Sequence, residues 1–403
     1  MEKTGVIVVG GGISGIAFAW KAARAGRSVL LLESGNRLGG CLHSHRTADG
    51  YWHELGAHTT YNSYGGFLDI AAGSGATAKI VQRGPARARF GYLRDNAYEW
   101  LSPPALLRRF NWLEIVSSAP FAILRGKKGR TMGEYYGGLL GRGNYERFLR
   151  PFLAAVPSQD ADGFPAAGPG SLFKKRPRRE EFPRSYGFAG GLQTVCEAAS
   201  RTPGLRVETG VDITRVAPAD GGFVVTAADG RTFEAPIAAV ALPIDAAATV
   251  LRRDFPDLAQ SLDPVKTVTI DSIGVVLPRP RCWMPEVAFV IPARDIFLSA
   301  VTRDPFPDPE RRAFTFHFKS GHSREDQLRR MGDVLRFPVA DLGELATRRT
   351  LLPAPALGHD RIIANLDRLL AGRRLALTGN YFQGLAIEDC VSRSFEEFAR
   401  IDS

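Results

Sequence analysis

The segment that most limits what this chain can fold into is its first. Val6, Ile7, Val8 and Val9 run without a polar break into Gly10, Gly12 and Gly15, the spacing GxGxxG. A continuous β-branched run fits a strand buried on both faces of a parallel sheet. The residues from Ile16 to Ala25 favour helix, Gly26 closes it, and Val29 to Leu32 make a second apolar strand that ends on Glu33. Strand, glycine turn, helix and strand within about 30 residues are a βαβ unit. Gly10 permits the tight turn, Gly12 lets backbone approach a pyrophosphate, and Gly15 allows close helix-strand packing. The amides of Ile13 and Ser14 open the helix, whose N-terminus offers N–H groups and positive dipole to phosphate. Glu33, 18 residues beyond Gly15, is placed to accept hydrogen bonds from ribose hydroxyls and to repel a 2′-phosphate, which disfavours NADP.

NAD and FAD share this fingerprint, and the residues after Glu33 separate them. Gly35, Asn36, Arg37, Leu38, Gly39 and Gly40 follow. An acid, a short spacer and R-x-G-G resembles the flavin amine oxidase and protoporphyrinogen oxidase superfamily, and implies that Arg37 and the backbone of Gly39 and Gly40 lie near an FAD pyrophosphate. Three later stretches extend the resemblance over most of the chain. Glu54, Leu55, Gly56, Ala57 and His58 are similar to the segment that runs beside the flavin ring. The pair Gly190 and Gly191, then a strand around Ile213, are similar to the family's second glycine pair and the strand whose backbone meets the adenine. Leu377, Thr378, Gly379 and Asn380, running into Glu388 and Asp389, resemble its closing strand, loop and helix, near phosphate and the flavin pyrimidine edge. Cys390 follows Glu-Asp rather than the Gly-Gly of relatives with a covalent link, so the implied FAD is non-covalent.

The resemblance implies an α/β fold, a Rossmann-like FAD-binding domain with a parallel sheet, interleaved with a mixed α+β substrate-binding domain. The expected boundaries are 1–60, 181–256 and 352–403 for the FAD domain, and 61–180 and 257–351 for the substrate domain. Residues 106–153 show apolar positions at helical spacing broken by glycines, which predicts several short helices. Residues 265–277, 287–302 and 313–319 alternate like strands.

A flavin carries the redox step while protein supplies orientation and electrostatics. His43, His45, His53 and His58 crowd the stretch beside the expected ring, and His58 is the one best placed to touch flavin or substrate as base or proton donor. A histidine that only hydrogen-bonds to a neighbouring side chain, without touching flavin or substrate, is the alternative. Lys266 opens a predicted strand, and relatives place a lysine on such a strand near the flavin; a solvent-facing lysine is the alternative there. His53 to His58 reads HExxxH, one residue too long for the zinc-protease spacing and broken by Gly56, so no metal is expected. No second GxGxxG follows a strand, which argues against an NAD(P)H domain and for O₂ or another acceptor. No GxSxG elbow supports acyl hydrolysis.

The reading is an FAD-dependent oxidoreductase removing hydride equivalents from a small organic substrate, similar to protoporphyrinogen oxidase or to a specialised-metabolite dehydrogenase. Amine or amino-acid oxidation is one alternative. Another is a redox-neutral flavin isomerase similar to UDP-galactopyranose mutase, faintly suggested by Gly56, Ala57, His58, Thr59 and Thr60. The net charge of +10 suits an anionic substrate, and no nucleic-acid module accompanies it. The basic cluster Lys174, Lys175, Arg176, Arg178 and Arg179 reads as a solvated loop. Residues 112–124, apolar with basic residues at both ends, read as an ordinary core helix broken at Pro120, with peripheral contact with a membrane surface as the alternative. Four dispersed cysteines without CxxC and no secretory leader suggest a cytoplasmic protein, with the inner face of a membrane as the alternative site.

Overall fold

The apolar runs of the first sixty residues sit in the middle of a five-stranded, all-parallel sheet. The structure is a computed structural model and describes residues 2–402. The strand order is Leu205–Thr209, Val29–Glu33, Val6–Val9, Ile237–Val240 and Leu375–Leu377. Side chains alternate across a strand, so Val6, Val8 and Leu31 enter one core and Ile7, Val9, Leu30 and Leu32 enter the other. Burial on both faces is why these strands contain no polar residue before Glu33. The helices Ile13–Arg24 and Ile387–Asp402 cover one face, with Phe18 set edge-on to Phe398 at 5.7 Å between ring centroids. Helices Ile244–Leu251, Pro256–Leu262 and His359–Leu370, with an edge sheet that includes Ile213–Ala219, cover the other.

A second, seven-stranded sheet forms a roof. Its order is Leu345–Pro353, Thr267–Pro278, Arg311–Lys319, Phe297–Thr302, Phe289–Pro292, Phe90–Arg94 and Ala97–Leu101, antiparallel except where Phe289–Pro292 meets Phe90–Arg94. Phe314, Phe316 and Phe318 face an outer core with Met331 and Val334 of the helix Arg324–Leu335. Thr315 and His317, alternating with them, face the parallel-sheet domain.

Packing crosses two of the expected boundaries. Phe67, Leu68 and Ile70 of the helix Gly65–Gly73 share a core with Ile16 and Phe18, so the dinucleotide-side layer continues well past residue 60. Leu258, Leu262 and Val265 likewise pack with Ile7 and Leu30, beyond residue 256.

The expectation of a core helix broken at Pro120 fails. Trp112–Arg125 is one continuous helix, started by the Asn111 side chain, which accepts from the amides of Leu113 and Glu114, and only Ala122 is buried. Leu113 is 82% exposed and Leu124 85%. Proline removes one N–H and leaves the Val116 carbonyl without its helical donor. Pro120 lies on the exposed side, where water can satisfy that carbonyl.

Candidate active site

The turn after the first strand is built from backbone at contact distance. A Cβ on Gly15 would lie 1.8 Å from the Gly10 carbonyl oxygen, and one on Gly40 would lie 2.8 Å from the Gly12 Cα. Gly39 donates its amide to Gly11 O at 2.8 Å, fastening the R-x-G-G loop against the helix start. The helix Ile13–Arg24 begins at Gly12 with no side-chain cap and no acid in its first turn, which leaves its amides for an anion. The carboxylate of Glu33 accepts from Gly11 N at 2.6 Å and Gly35 N at 2.8 Å, and is held at the end of its strand. Val211 N donates to Glu33 O at 2.9 Å, which brings Ile213 to the same edge. Arg37 caps the carbonyl of Gly40 at 3.1 Å, and burial with the nearby Arg348 lowers its pKa.

The Leu55 to His58 segment lies between this cradle and the roof. Leu55 N donates to His43 O at 2.8 Å and Ala57 N to Cys41 O at 3.1 Å. A Cβ on Gly56 would fall 2.1 Å from Cys41 O and 3.5 Å from Arg348 Nη1. From the roof, Thr315 Oγ1 donates to Glu54 O at 2.7 Å, and a Cβ on Gly274 would strike His53 Nε2. His58 Nε2 meets His317 Nε2 at 2.7 Å, and His317 Nδ1 meets Ser272 Oγ at 2.8 Å. Burial lowers all four histidines at this seam: His43 and His53 to about 3, His317 to about 4, and His58 well below the usual imidazole range, with His317 and Arg83 adding to the effect at His58. Glu54 moves the other way. Burial raises it to about 7, against hydrogen bonds from Leu192 N and Ser44.

A cleft of about 1020 Å³ opens between the roof and the helical segment, lined by Arg147, Arg150 and Gln159 below and by Val268, Ile270 and Leu298 above. Ile270 is two residues from Ser272 on the same strand and shares its face. Five cations and four carboxylates line this cleft, so the basic surplus of the chain is not concentrated there.

Several expected site residues stand elsewhere. Lys266 is exposed just before the strand Thr267–Pro278 begins, six residues and roughly 20 Å of extended chain from Ser272. Glu388 turns its carboxylate away to accept from Gly66 N at 2.8 Å and Phe67 N at 3.0 Å, at the start of the helix Gly65–Gly73. Asp389 is taken by Lys174 and Arg176, each at 2.7 Å. That pairing also corrects the solvated-loop reading of 174–179: Arg179 pairs with Asp69 and Glu181, and the loop latches onto the C-terminal helix. Gly379 packs against the Tyr381 ring, Asn380 follows it, and Cys390 is buried with its thiol pushed up to about 12.

Ser272, His317, Arg348 and Thr315 went unrecognised in the sequence. For Thr315 and His317 the one signal is polarity at alternate positions of an otherwise apolar strand, Phe314, Thr315, Phe316, His317, Phe318; Ser272 and Arg348 adjoin other polar residues and carry no such signal.

A family model for NAD(P)-binding Rossmann-like domains matches residues 8–70. A 15-cis-phytoene desaturase of Narcissus pseudonarcissus is 41% identical over 59 residues, 15% of this chain and 10% of that protein. The chain therefore spans about a tenth of the curated relative it matches. The Exiguobacterium sp. 255-15 protein assigned as a protoporphyrinogen oxidase superposes with TM-score 0.79 at 18% identity, over 100% of this chain and 98% of that one. A putrescine oxidase redesigned at its cofactor site follows with TM-score 0.73 at 15% identity, over 100% and 99%. Reduced UDP-galactopyranose mutase superposes with TM-score 0.71 at 14% identity, over 99% and 95%.

Proposed function

From a chain with a Rossmann-like dinucleotide-binding domain and, over its whole length, the fold of the flavin oxidases, we propose an FAD-dependent oxidoreductase that takes hydride equivalents from a small organic substrate. The observation that carries this reading is the pairing of two sites: a phosphate cradle of glycine backbone and, beside Gly56, a wall of cationic and imidazole groups lacking partners. Arg348 Nη1 and His43 Nδ1 are buried without a hydrogen-bond partner among the described residues. Orphaned donors of this kind are costly, and the electron-rich edge of an isoalloxazine supplies acceptors that fit them.

FAD, when bound, supplies a hydride acceptor. The residues do the rest. The open amides after Gly12, with Arg37, hold pyrophosphate, and Glu33 takes the ribose hydroxyls. The paired segments Cys41 to His43 and Leu55 to Ala57 would support the flavin. Arg348, on the roof beside Gly56, would favour an anion, on the flavin or on a substrate carboxylate. His58, a neutral imidazole at neutral pH, is available to exchange a proton. O₂ or another small acceptor would complete turnover.

The test is anaerobic. The yellow protein is mixed with protoporphyrinogen, coproporphyrinogen, a panel of amines and a panel of hydrogenated metabolites, and the visible flavin band is followed. Bleaching by one compound, reversed by air, is the expected result. Activity only after dithionite reduction, with a sugar nucleotide interconverted and no net electron transfer, would replace this reading with the isomerase one. A colourless protein that cannot be reconstituted with FAD would remove both.

The exposed face of Trp112–Arg125 supports a second, separable proposal of peripheral contact with an anionic lipid surface. Leu113, Val116, Phe121 and Leu124 are solvent-exposed, and Arg108, Arg109, Arg125 and Lys128 are exposed at its ends, the pairing of apolar and basic groups that such surfaces bind. No helix among the described residues is long and apolar enough to cross a membrane.

A further inference from the structure

A polar row crosses the inner face of the roof sheet. In the antiparallel register Arg348 stands opposite Ser272, and Ser272 opposite His317; residues directly opposite share a face. Ser272 and His317 are 3% and 4% exposed. His58, from the loop below, is the less buried end of the row. The two contacts already described, Ser272 Oγ to His317 Nδ1 and His317 Nε2 to His58 Nε2, make the three side chains one continuous hydrogen-bonded chain.

Each nitrogen contact needs one proton and one lone pair, and this permits two arrangements. In the first, Ser272 donates to His317 Nδ1, His317 Nε2–H donates to His58 Nε2, and His58 carries its proton on Nδ1. In the second, every donor is reversed, and His58 Nδ1 is bare. Both hold the same number of protons and no net charge.

We propose that Ser272, His317 and His58 form a charge-neutral proton wire leading from the ring-side wall, beside Arg348, to His58 Nδ1. The proposal rests on the flavin reading for the position of the reacting centre. A donor's C–H bond breaks with its electron pair going to the flavin as the oxidant, and its N–H or O–H proton passes to Ser272 Oγ. The serine's own proton moves to His317 Nδ1, the His317 Nε2 proton to His58 Nε2, and the His58 Nδ1 proton to water. One proton enters, one leaves, and the chain ends in the second arrangement. Reduction of O₂ to peroxide takes up one proton with the hydride equivalent; drawn back along the same path, it restores the first.

The surroundings favour a neutral wire over a cationic base. Arg348 stands beside Ser272, and Arg83 and His53 face His58. The acid on the same loop, Glu54, is committed to Ser44 at 2.7 Å and Leu192 N at 2.8 Å. Burial presses both imidazoles the same way.

The experiment uses FAD-loaded protein labelled with ¹⁵N-histidine, with resonances assigned through His58→Gln and His317→Gln, from roughly pH 5.5 to 8.5, the window in which an ordinary histidine titrates. The expected spectra show both rings neutral throughout, with nitrogen shifts averaged between tautomers. Ser272→Ala fixes His317 in one tautomer and slows air reoxidation of the dithionite-reduced protein by at least about tenfold; Ser272→Thr, which keeps the hydroxyl, restores both. Titration of either ring to a cation near its ordinary pKa overturns the wire. So does a Ser272→Ala protein with unchanged tautomers and unchanged reoxidation. A yellow protein with fixed tautomers refutes the wire and leaves the flavin reading standing, whereas a protein that takes up no FAD refutes both.

Discussion

The phosphate cradle and the roof seam are made in opposite ways. The cradle is backbone: Gly10, Gly12, Gly15, Gly39 and Gly40 lie within 31 residues and act by having no side chain. The seam is side chains: His58 with His317, Ser272 with His317 and Thr315 with Glu54 join positions 259, 45 and 261 residues apart. The cradle recognises what every dinucleotide shares, phosphate and ribose.

If the cradle works by absence, adding one atom should do the most damage. Gly15→Ala places a methyl 1.8 Å from the Gly10 carbonyl oxygen. Both partners are backbone and cannot rotate away, so a loss of about 3 kcal/mol or more is expected, read as colourless protein with a lowered urea midpoint. Normal FAD content in Gly15→Ala would show that the helix start can shift, and would weaken the contrast.

The seam should fail by pH instead. Its histidines are held neutral in the fold, with pKa values depressed below the unfolded value. The stability they contribute is complete above about pH 6.5 and is lost as pH falls toward the folded values of about 3 for His53 and about 4 for His317. By pH 5 each buried ring costs about 2 kcal/mol. Glu54 opposes them: with its folded pKa raised to about 7, its contribution is present in acid and lost as pH rises from about 4.5 through 7. Four rings outweigh one carboxyl, so the stability read from urea midpoints should fall between pH 7.5 and 5 by a net of roughly 5 kcal/mol. Glu54→Gln should steepen that fall. A midpoint that rises on acidification would mean the rings are solvated and the seam is open.

A smaller loss isolates one contact of the seam. Thr315→Val keeps the shape and β-propensity of the strand but removes the donor to Glu54 O. The expected cost is about 1 kcal/mol, with FAD content unchanged, because Thr315 reaches the cradle only through the Leu55 to Ala57 floor.

The same division explains which features are legible in the sequence. Short-range geometry is written in consecutive residues, so the βαβ unit, Glu33 and the Arg37 loop were legible. Long-range pairing is not. His317 lies among phenylalanines and reads as strand filler until register sets it opposite Ser272. Lys266 has the expected residue type but stands just before the strand Thr267–Pro278, six positions short of Ser272. Glu388 and Asp389 lie at a helix start, where an acid serves as readily in capping and ion pairs as beside a cofactor. The strands Phe90–Arg94 and Leu345–Pro353 were missed because their partners are distant segments and they lack strong alternation.

The helix Trp112–Arg125 sharpens the comparison from outside, because it has neither a cradle nor a seam to serve. Apolar residues that stabilise a fold do so by leaving water on folding, and Leu113 and Leu124 do not leave it. The double variant Leu113→Gln, Leu124→Gln should therefore change the urea midpoint by less than about 0.5 kcal/mol. The same variant should abolish cosedimentation with vesicles rich in anionic lipid, which the unaltered protein should bind at low salt and release as screening rises. Neutral vesicles should retain little of either protein, since the exposed arginines and Lys128 bring the apolar face to the surface. A large loss of stability in the double variant would show that these leucines pack against protein, in another copy or a partner chain, and a lipid surface would no longer be needed to explain why an amphipathic helix is displayed with its apolar side outward.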